Sequence, residues 1–239
     1  MHQIKYALEL LSELGLTTAK PASTPMDYNT KLTTRQFDEH VKHGKTTKDP
    51  PANQGSYKKL IGKLLYLTMT RPDIAFCVQT LSQFLQDPKR SHMEATLRVV
   101  KYVKGQPGQG VLLSSGSNNK VSAYCDADWA AFPQTRRSVT GYFVKIEESV
   151  VSWKSKKQNT VSKSSAEAEF RSLAAVTAEL VWILGLMKEI RSEAMLPVDV
   201  FSDSKSAIQI AANPIYHERT KHIDIDCLFI REKIVKGMI

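Results

Sequence analysis

Apolar positions in the first half of the chain recur at helical spacing. Residues 4–16 form one amphipathic pattern, stopped near Gly15. The spacing returns with Tyr57, Leu60, Ile61, Leu64, Leu65 and Leu67, then breaks before Pro72. It predicts a second helix from Asp73 to about Leu85 and a third from Ser91 to Lys104. Gly105, Pro107, Gly108 and Gly110 mark a turn-rich exit. Between these helices, residues 17–56 are polar, rich in Thr, Lys and Asp, and punctuated by Pro21, Pro25, Pro50 and Pro51. That composition predicts an irregular, partly disordered connector. Residues 1–110 are therefore expected to be mainly helical.

Beyond residue 110 the period shortens from helical to alternating. Residues 111–114, 120–126, 138–146 and 149–154 are β-rich, with Glu147-Glu148 as a hairpin tip. Ser164 opens a helix to about Ser192, striped by Phe170, Leu173, Val176, Leu180, Val181, Leu184 and Met187. A strand at 198–202 leads to a helix from Ser204 to Ala212, ended by Pro214. A last helix is expected from about Thr220 to Lys236. The order β-β-β-α-β-α-α predicts an α/β or α+β sheet domain over residues 110–239.

The chain has 239 residues, room for one large domain or two small ones, and 42% hydrophobic content supports a real core. Its formal charge of +9 and pI of about 9.4 favour an anionic partner, of which nucleic acid is the commonest. Three dispersed cysteines, Cys77, Cys125 and Cys227, match neither a disulfide framework nor a zinc site, and suggest a reducing compartment. No stretch approaches the roughly 18 apolar residues of a membrane span. His2, Lys5 and Glu9 break the early apolar run, so no signal peptide is expected and no membrane partner.

Three acids stand in distinct local settings. Asp126 closes a strand-like run, Glu169 lies in the first turns of the long helix, and Asp203 ends a second strand and opens a helix. Such placements can converge, and hard divalent cations favour all-oxygen clusters. Two cations about 4 Å apart can activate water and stabilise the leaving oxygen of a phosphodiester. Each acid also has a plainer reading. Asp203 suits a helix cap, and Asp126 and Asp128 suit a turn. Glu167 completes a capping box with Ser164, which leaves Glu169 unexplained. Basic residues cluster nearby: Arg136 and Arg137 before one strand, Lys154, Lys156, Lys157 and Lys163 along and after another. With Trp129 they would suit a nucleic-acid groove, while Trp153 and Trp182 read as core. His217 and His222 lack zinc spacing and read as surface or structural residues.

Several ordered segments carry a resemblance. They are Gly62-Lys63-Leu64-Leu65-Tyr66-Leu67, Thr70-Arg71-Pro72-Asp73-Ile74-Ala75, and Tyr124-Cys125-Asp126-Ala127-Asp128-Trp129-Ala130. Arg136 to Tyr142, Ser152 to Gln158, Ser164 to Phe170 and Arg219-Thr220-Lys221-His222-Ile223 follow. Together they resemble the C-terminal part of a copia-type retrotransposon Pol polyprotein over nearly the whole chain. The resemblance implies a ribonuclease H-like domain over 111–239, preceded over 1–110 by the distal thumb and connection of a reverse transcriptase. It implies that Asp126, Glu169 and Asp203 hold two magnesium ions, with manganese as substitute, and that the RNA strand of an RNA–DNA hybrid is cut. It also implies that Arg136 and Arg137 touch the substrate backbone; Lys154, Lys156 and Lys157 of the basic cluster, and Ser204, are further candidate nucleic-acid contacts.

The departures set a second expectation. No Tyr-x-Asp-Asp polymerase motif is present, so polymerisation would need a separate reverse transcriptase chain. The family continues with a fifth strand and a helix carrying a fourth acid, whereas this sequence stops at Ile239. Asp224 and Asp226 are poor substitutes, because both lie on the preceding helix. Ala131, Phe132, Ser204 and Leu228 stand where Gly, Cys, Asn and His are common. The alternative is thus a truncated remnant that folds and binds nucleic acid without turnover.

Overall fold

A computed structural model describes residues 1–27, 32–41, 49–116, 118–212 and 223–239. The chain forms two compact units, Met1–Val111 and Leu112–Ile239.

The N-terminal unit is helical, with α1 (Ile4–Glu13), α2 (Arg35–Val41), α3 (Gln54–Leu67), α4 (Ala75–Ser82) and α5 (Arg90–Gly105). Asn53 caps α3 by accepting the Ser56 N–H at 2.8 Å. Tyr57, Ile61 and Leu64 of α3 then pack with Leu10 of α1, Val78 and Leu81 of α4 and Val99 of α5. The predicted irregular connector contains one helix after all. Thr34 Oγ1 accepts the Phe37 N–H at 3.3 Å, which caps α2 within a stretch whose polarity masked it. Arg71, only 2% exposed, forks onto both Asp73 oxygens at 2.9 and 2.8 Å. It also donates to the Gln106 carbonyl at 3.0 Å and lies 5.7 Å from the Tyr102 ring centroid. The Arg71-Pro72-Asp73 segment is therefore an internal tie, with Pro72 opening a 3₁₀ turn into α4.

The C-terminal unit is α/β. Strands β1 (Val121–Asp128), β2 (Val139–Ile146), β3 (Ser149–Lys157) and β4 (Asp199–Phe201) form a mixed sheet in the order β3-β2-β1-β4. β1 runs antiparallel to β2 and parallel to β4. Helix α6 (Ser165–Glu189) connects β3 to β4, and α7 (Lys205–Ala212) and α8 (Asp224–Val235) follow. Alternate β1 residues Val121, Ala123 and Cys125 meet Phe170, Leu173, Val176, Leu180 and Ile183 of α6, and Cys227 and Ile230 of α8 join them. The helical spacing of the α6 set makes it one stripe. Contrary to the expectation from sequence, α6 is long and apolar enough to cross a membrane by length and composition; half of that stretch is buried in this core.

The opposite sheet face carries a row of four aromatic residues, one per strand. Trp153 pairs with Phe143, Phe143 with Tyr124, and Tyr124 with Phe201. The Tyr124 ring stacks on Phe143 at 4.7 Å and on Phe201 at 4.8 Å.

Three further expectations need correction. Residues 111–114 form no strand: Val111 bonds to Met1, Ser114 N–H goes to Ser149 Oγ, and Leu112 and Leu113 are exposed. Trp182 is not core; it is 63% exposed, on the α6 side away from the sheet stripe. Trp153 is half-buried in the aromatic row. His217, His222, Pro214, residues 219–222 and the start of the last helix near Thr220 lie outside the described residues.

Candidate metal centre

Strand β1 delivers Asp126, the first turns of α6 deliver Glu169, and the exit of β4 delivers Asp203. One ligand oxygen from each lies within 4.8 Å of the others, the one such group among the described residues. Helix α6 starts at a defined place because Ser164 Oγ accepts the Glu167 N–H at 3.2 Å. Glu167 reaches back to the residue before the cap. Its carboxylate accepts the Lys163 N–H at 2.7 Å and pairs with Arg171 at 2.8 Å. Its oxygens are thereby committed, and Glu169 is left for the cluster. Asp203 likewise escapes cap duty. Ser204 Oγ accepts the Ala207 N–H at 3.2 Å and caps α7 instead.

Asp126 and Asp203 are exposed, but Glu169 is only 8% exposed and its Oε2 has no hydrogen-bond partner. A buried unpaired carboxylate oxygen is costly. Burial, followed by the charge of Asp126, raises the Glu169 carboxyl to about 7; the Ala127 N–H opposes the shift and Asp203 adds to it. A cation set among the three acids would remove that penalty. The donor set, all carboxylate oxygen, suits magnesium or manganese rather than zinc. Asp128 is raised by burial and by Asp126, yet it does not join the group. Burial pushes the Cys125 thiol up to about 12, with Glu169 second, so it stays a protonated core residue. Asp226 lines a different groove.

The basic residues fall into two places. Lys154 and Lys156 line a groove of about 540 Å³ between β3 and α6, with Thr140, Tyr142, Arg171 and Asp226. Tyr142 and Ser152 donate to the two oxygens of Glu179 in that groove, at 3.0 and 2.7 Å. Lys157, at the rim, sits 5.3 Å from the Phe132 ring centroid, and burial with the Arg137 charge lowers its pKa. Arg136 is exposed on the loop after β1, where its N–H donates to the Phe132 carbonyl at 2.7 Å. Trp129, half exposed at the start of that loop, donates to the Ser162 carbonyl at 3.1 Å.

The chain is 38% identical over all 239 residues to the retrovirus-related Pol polyproteins from transposons RE1 and RE2 of Arabidopsis thaliana. It is 35% identical over 236 residues to that from transposon TNT 1-94 of Nicotiana tabacum. The chain belongs to the Pol polyproteins of copia-type retrotransposons. It spans 16% of the length of the RE1 and RE2 polyproteins and 17% of the TNT 1-94 polyprotein. No family model and no solved structure matches it.

Two residues of this Pol segment were not singled out from sequence. Gln158 and Ser172 are buried on either side of Glu169. The available signal was weak: one serine inside an apolar stripe and one glutamine at a strand exit.

Proposed function

We propose that the C-terminal unit is a ribonuclease H-like domain that hydrolyses the RNA strand of an RNA–DNA hybrid. On this reading the N-terminal unit is the distal thumb and connection of a reverse transcriptase. The observation that carries the proposal is the convergence of Asp126, Glu169 and Asp203 around an orphaned, buried Glu169 oxygen.

These three acids would hold magnesium, with manganese as a substitute. Such a pair of ions supplies an activated water and charge stabilisation at the leaving oxygen of a phosphodiester. The chain's own residues do the rest. Glu169 must lose its proton before it can act as a ligand, and its raised pKa makes that step sensitive near neutral pH. Lys154 and Lys156 in the groove, and Arg136, Arg137 and Lys157 around the Phe132 loop, would take backbone phosphates. Ser204 already accepts from the helix, so its O–H hydrogen remains to donate to a phosphate oxygen. The RNA 2′-hydroxyl would distinguish the cleaved strand.

The test is cleavage of a labelled RNA–DNA hybrid by the full chain in magnesium or manganese, beside Asp126→Asn. Cleavage that disappears in the variant supports the proposal. Absence of cleavage in both metals overturns the hydrolytic reading. Salt-sensitive hybrid binding in that case identifies a nucleic-acid-binding domain without turnover instead.

A further inference from the structure

We propose that Gln158 and Ser172 are positioning residues that fix the separation of Asp126 and Glu169, and through it the affinity of the acid cluster for a divalent cation. The inference rests on the metal-site reading above, and extends it to residues that touch no ligand.

Glu169 is bracketed along α6. One residue earlier, the Ala168 carbonyl accepts from Gln158 Nε2 at 3.0 Å. That amide also donates to Thr140 Oγ1 at 3.1 Å, and its oxygen accepts from Ser162 Oγ at 2.9 Å. Gln158 thus joins β2, the β3 exit and the first turn of α6. Three residues after Glu169, the fully buried Ser172 hydroxyl donates to the carbonyl of Asp126 itself at 2.7 Å, with the Gly141 carbonyl 3.1 Å away.

Ser172 behaves unlike Thr177 and Thr96, two other buried hydroxyls in helices. A serine or threonine inside a helix usually donates back to the carbonyl four residues earlier. Thr177 does so to Leu173 at 2.8 Å, and Thr96 does so to His92 at 2.8 Å. For Ser172 that carbonyl belongs to Ala168, and Gln158 occupies it. The glutamine leaves the serine hydroxyl to the sheet, and the serine spends it on the backbone of the first acid. A slide of α6 along its axis would move Glu169 and break both bonds together. Metal constellations require placement within about 0.5 Å, and outer partners of ligands typically govern affinity by 10–100-fold.

The test is calorimetric titration of the full, metal-free chain with Mn²⁺. Ser172→Ala and Gln158→Met are each expected to weaken Mn²⁺ binding by about tenfold. Thr177→Val removes a hydroxyl of the same helix that faces no acid, and should stay within twofold of wild type. Ser172→Thr, which keeps the hydroxyl, should bind better than Ser172→Ala. The proposal is overturned if Ser172→Ala binds like wild type, or if Thr177→Val weakens binding equally, since α6 would then only have loosened. If wild type shows no Mn²⁺ binding that Asp126→Asn abolishes, the metal reading itself fails and the positioning role goes with it.

Discussion

Ser204 and Asp203 divide two duties that one residue often carries: Ser204 Oγ takes the Ala207 N–H at 3.2 Å, and the Asp203 carboxylate turns to the acid cluster. Their substitutions should therefore dissociate. Ser204→Ala is expected to cost about 1 kcal/mol of stability while leaving Mn²⁺ affinity intact. Asp203→Asn should abolish Mn²⁺ binding without destabilising the metal-free chain. Urea unfolding followed by tryptophan emission checks this, because Trp129, Trp153 and Trp182 all lie in the C-terminal unit. Equal stability losses in the two variants would show that Asp203 shares the cap.

The Glu169 carboxyl gives the metal-free C-terminal unit a distinctive pH dependence. Folded, it holds its proton up to about 7; the ordinary value is 4.5. Between those limits the native state binds the extra proton, so stability falls as pH rises and the contribution is gone above 7. The loss is at most about 3 kcal/mol. Thermal unfolding in a chelator should show a midpoint falling from pH 5 to 7.5, flattened in Glu169→Gln. Mn²⁺ should reverse the slope, since only the ionised carboxylate is a ligand. An unchanged slope in Glu169→Gln would refute this account.

His92 makes the N-terminal unit sensitive in the opposite direction. Its Nδ1 accepts the Lys89 N–H at 3.1 Å and its Nε2 lies 3.1 Å from the Thr33 carbonyl, so the neutral ring is the one that fits. Burial, then the Lys89 charge, lowers its pKa to about 4. The stability it contributes is complete above 6.5 and is lost as pH falls towards 4. Hydrogen exchange in α5 should accelerate over that interval, and His92→Gln should blunt the change. Exchange that accelerates equally in the variant would place the acid sensitivity elsewhere.

Arg71→Lys should destabilise the N-terminal unit by about 2–3 kcal/mol, although the charge is retained. A lysine cannot make the forked pair with Asp73 and also reach the Gln106 carbonyl. Far-UV circular dichroism during urea unfolding measures the cost. A loss under about 1 kcal/mol would mean that the fork is dispensable.

Period and punctuation made most elements legible in the sequence. The α6 stripe and the alternation of β1 point to the packing that forms. The three acids were legible from their settings: Asp126 near the end of β1, Glu169 in the first turns of α6 and Asp203 just after β4. Helix α2 was hidden because it is short and rests on Thr34 rather than on an apolar stripe. The run at 111–114 misled because alternation cannot reveal whether a partner strand exists, and Leu112 and Leu113 find none. Trp182 lies on the exposed side of α6, which residue type alone does not reveal. The roles of Gln158 and Ser172 were not legible because they depend on pairs that form only in the fold, Ala168 with Gln158 and Asp126 with Ser172.

The cross-strand row of Trp153, Phe143, Tyr124 and Phe201 works as a checksum on the sheet. Each strand contributes one digit, and the row is complete only when all three pairings are correct. A slip of one residue in β1 would turn Tyr124 inward, to where Ala123 and Cys125 now leave room for Phe170. The error would be read twice, as a gap among the stacked rings and as an oversized ring under α6. Asp126 lies two residues beyond Tyr124 on the same strand, so the alignment that completes the row also sets the first acid of the cluster at its address.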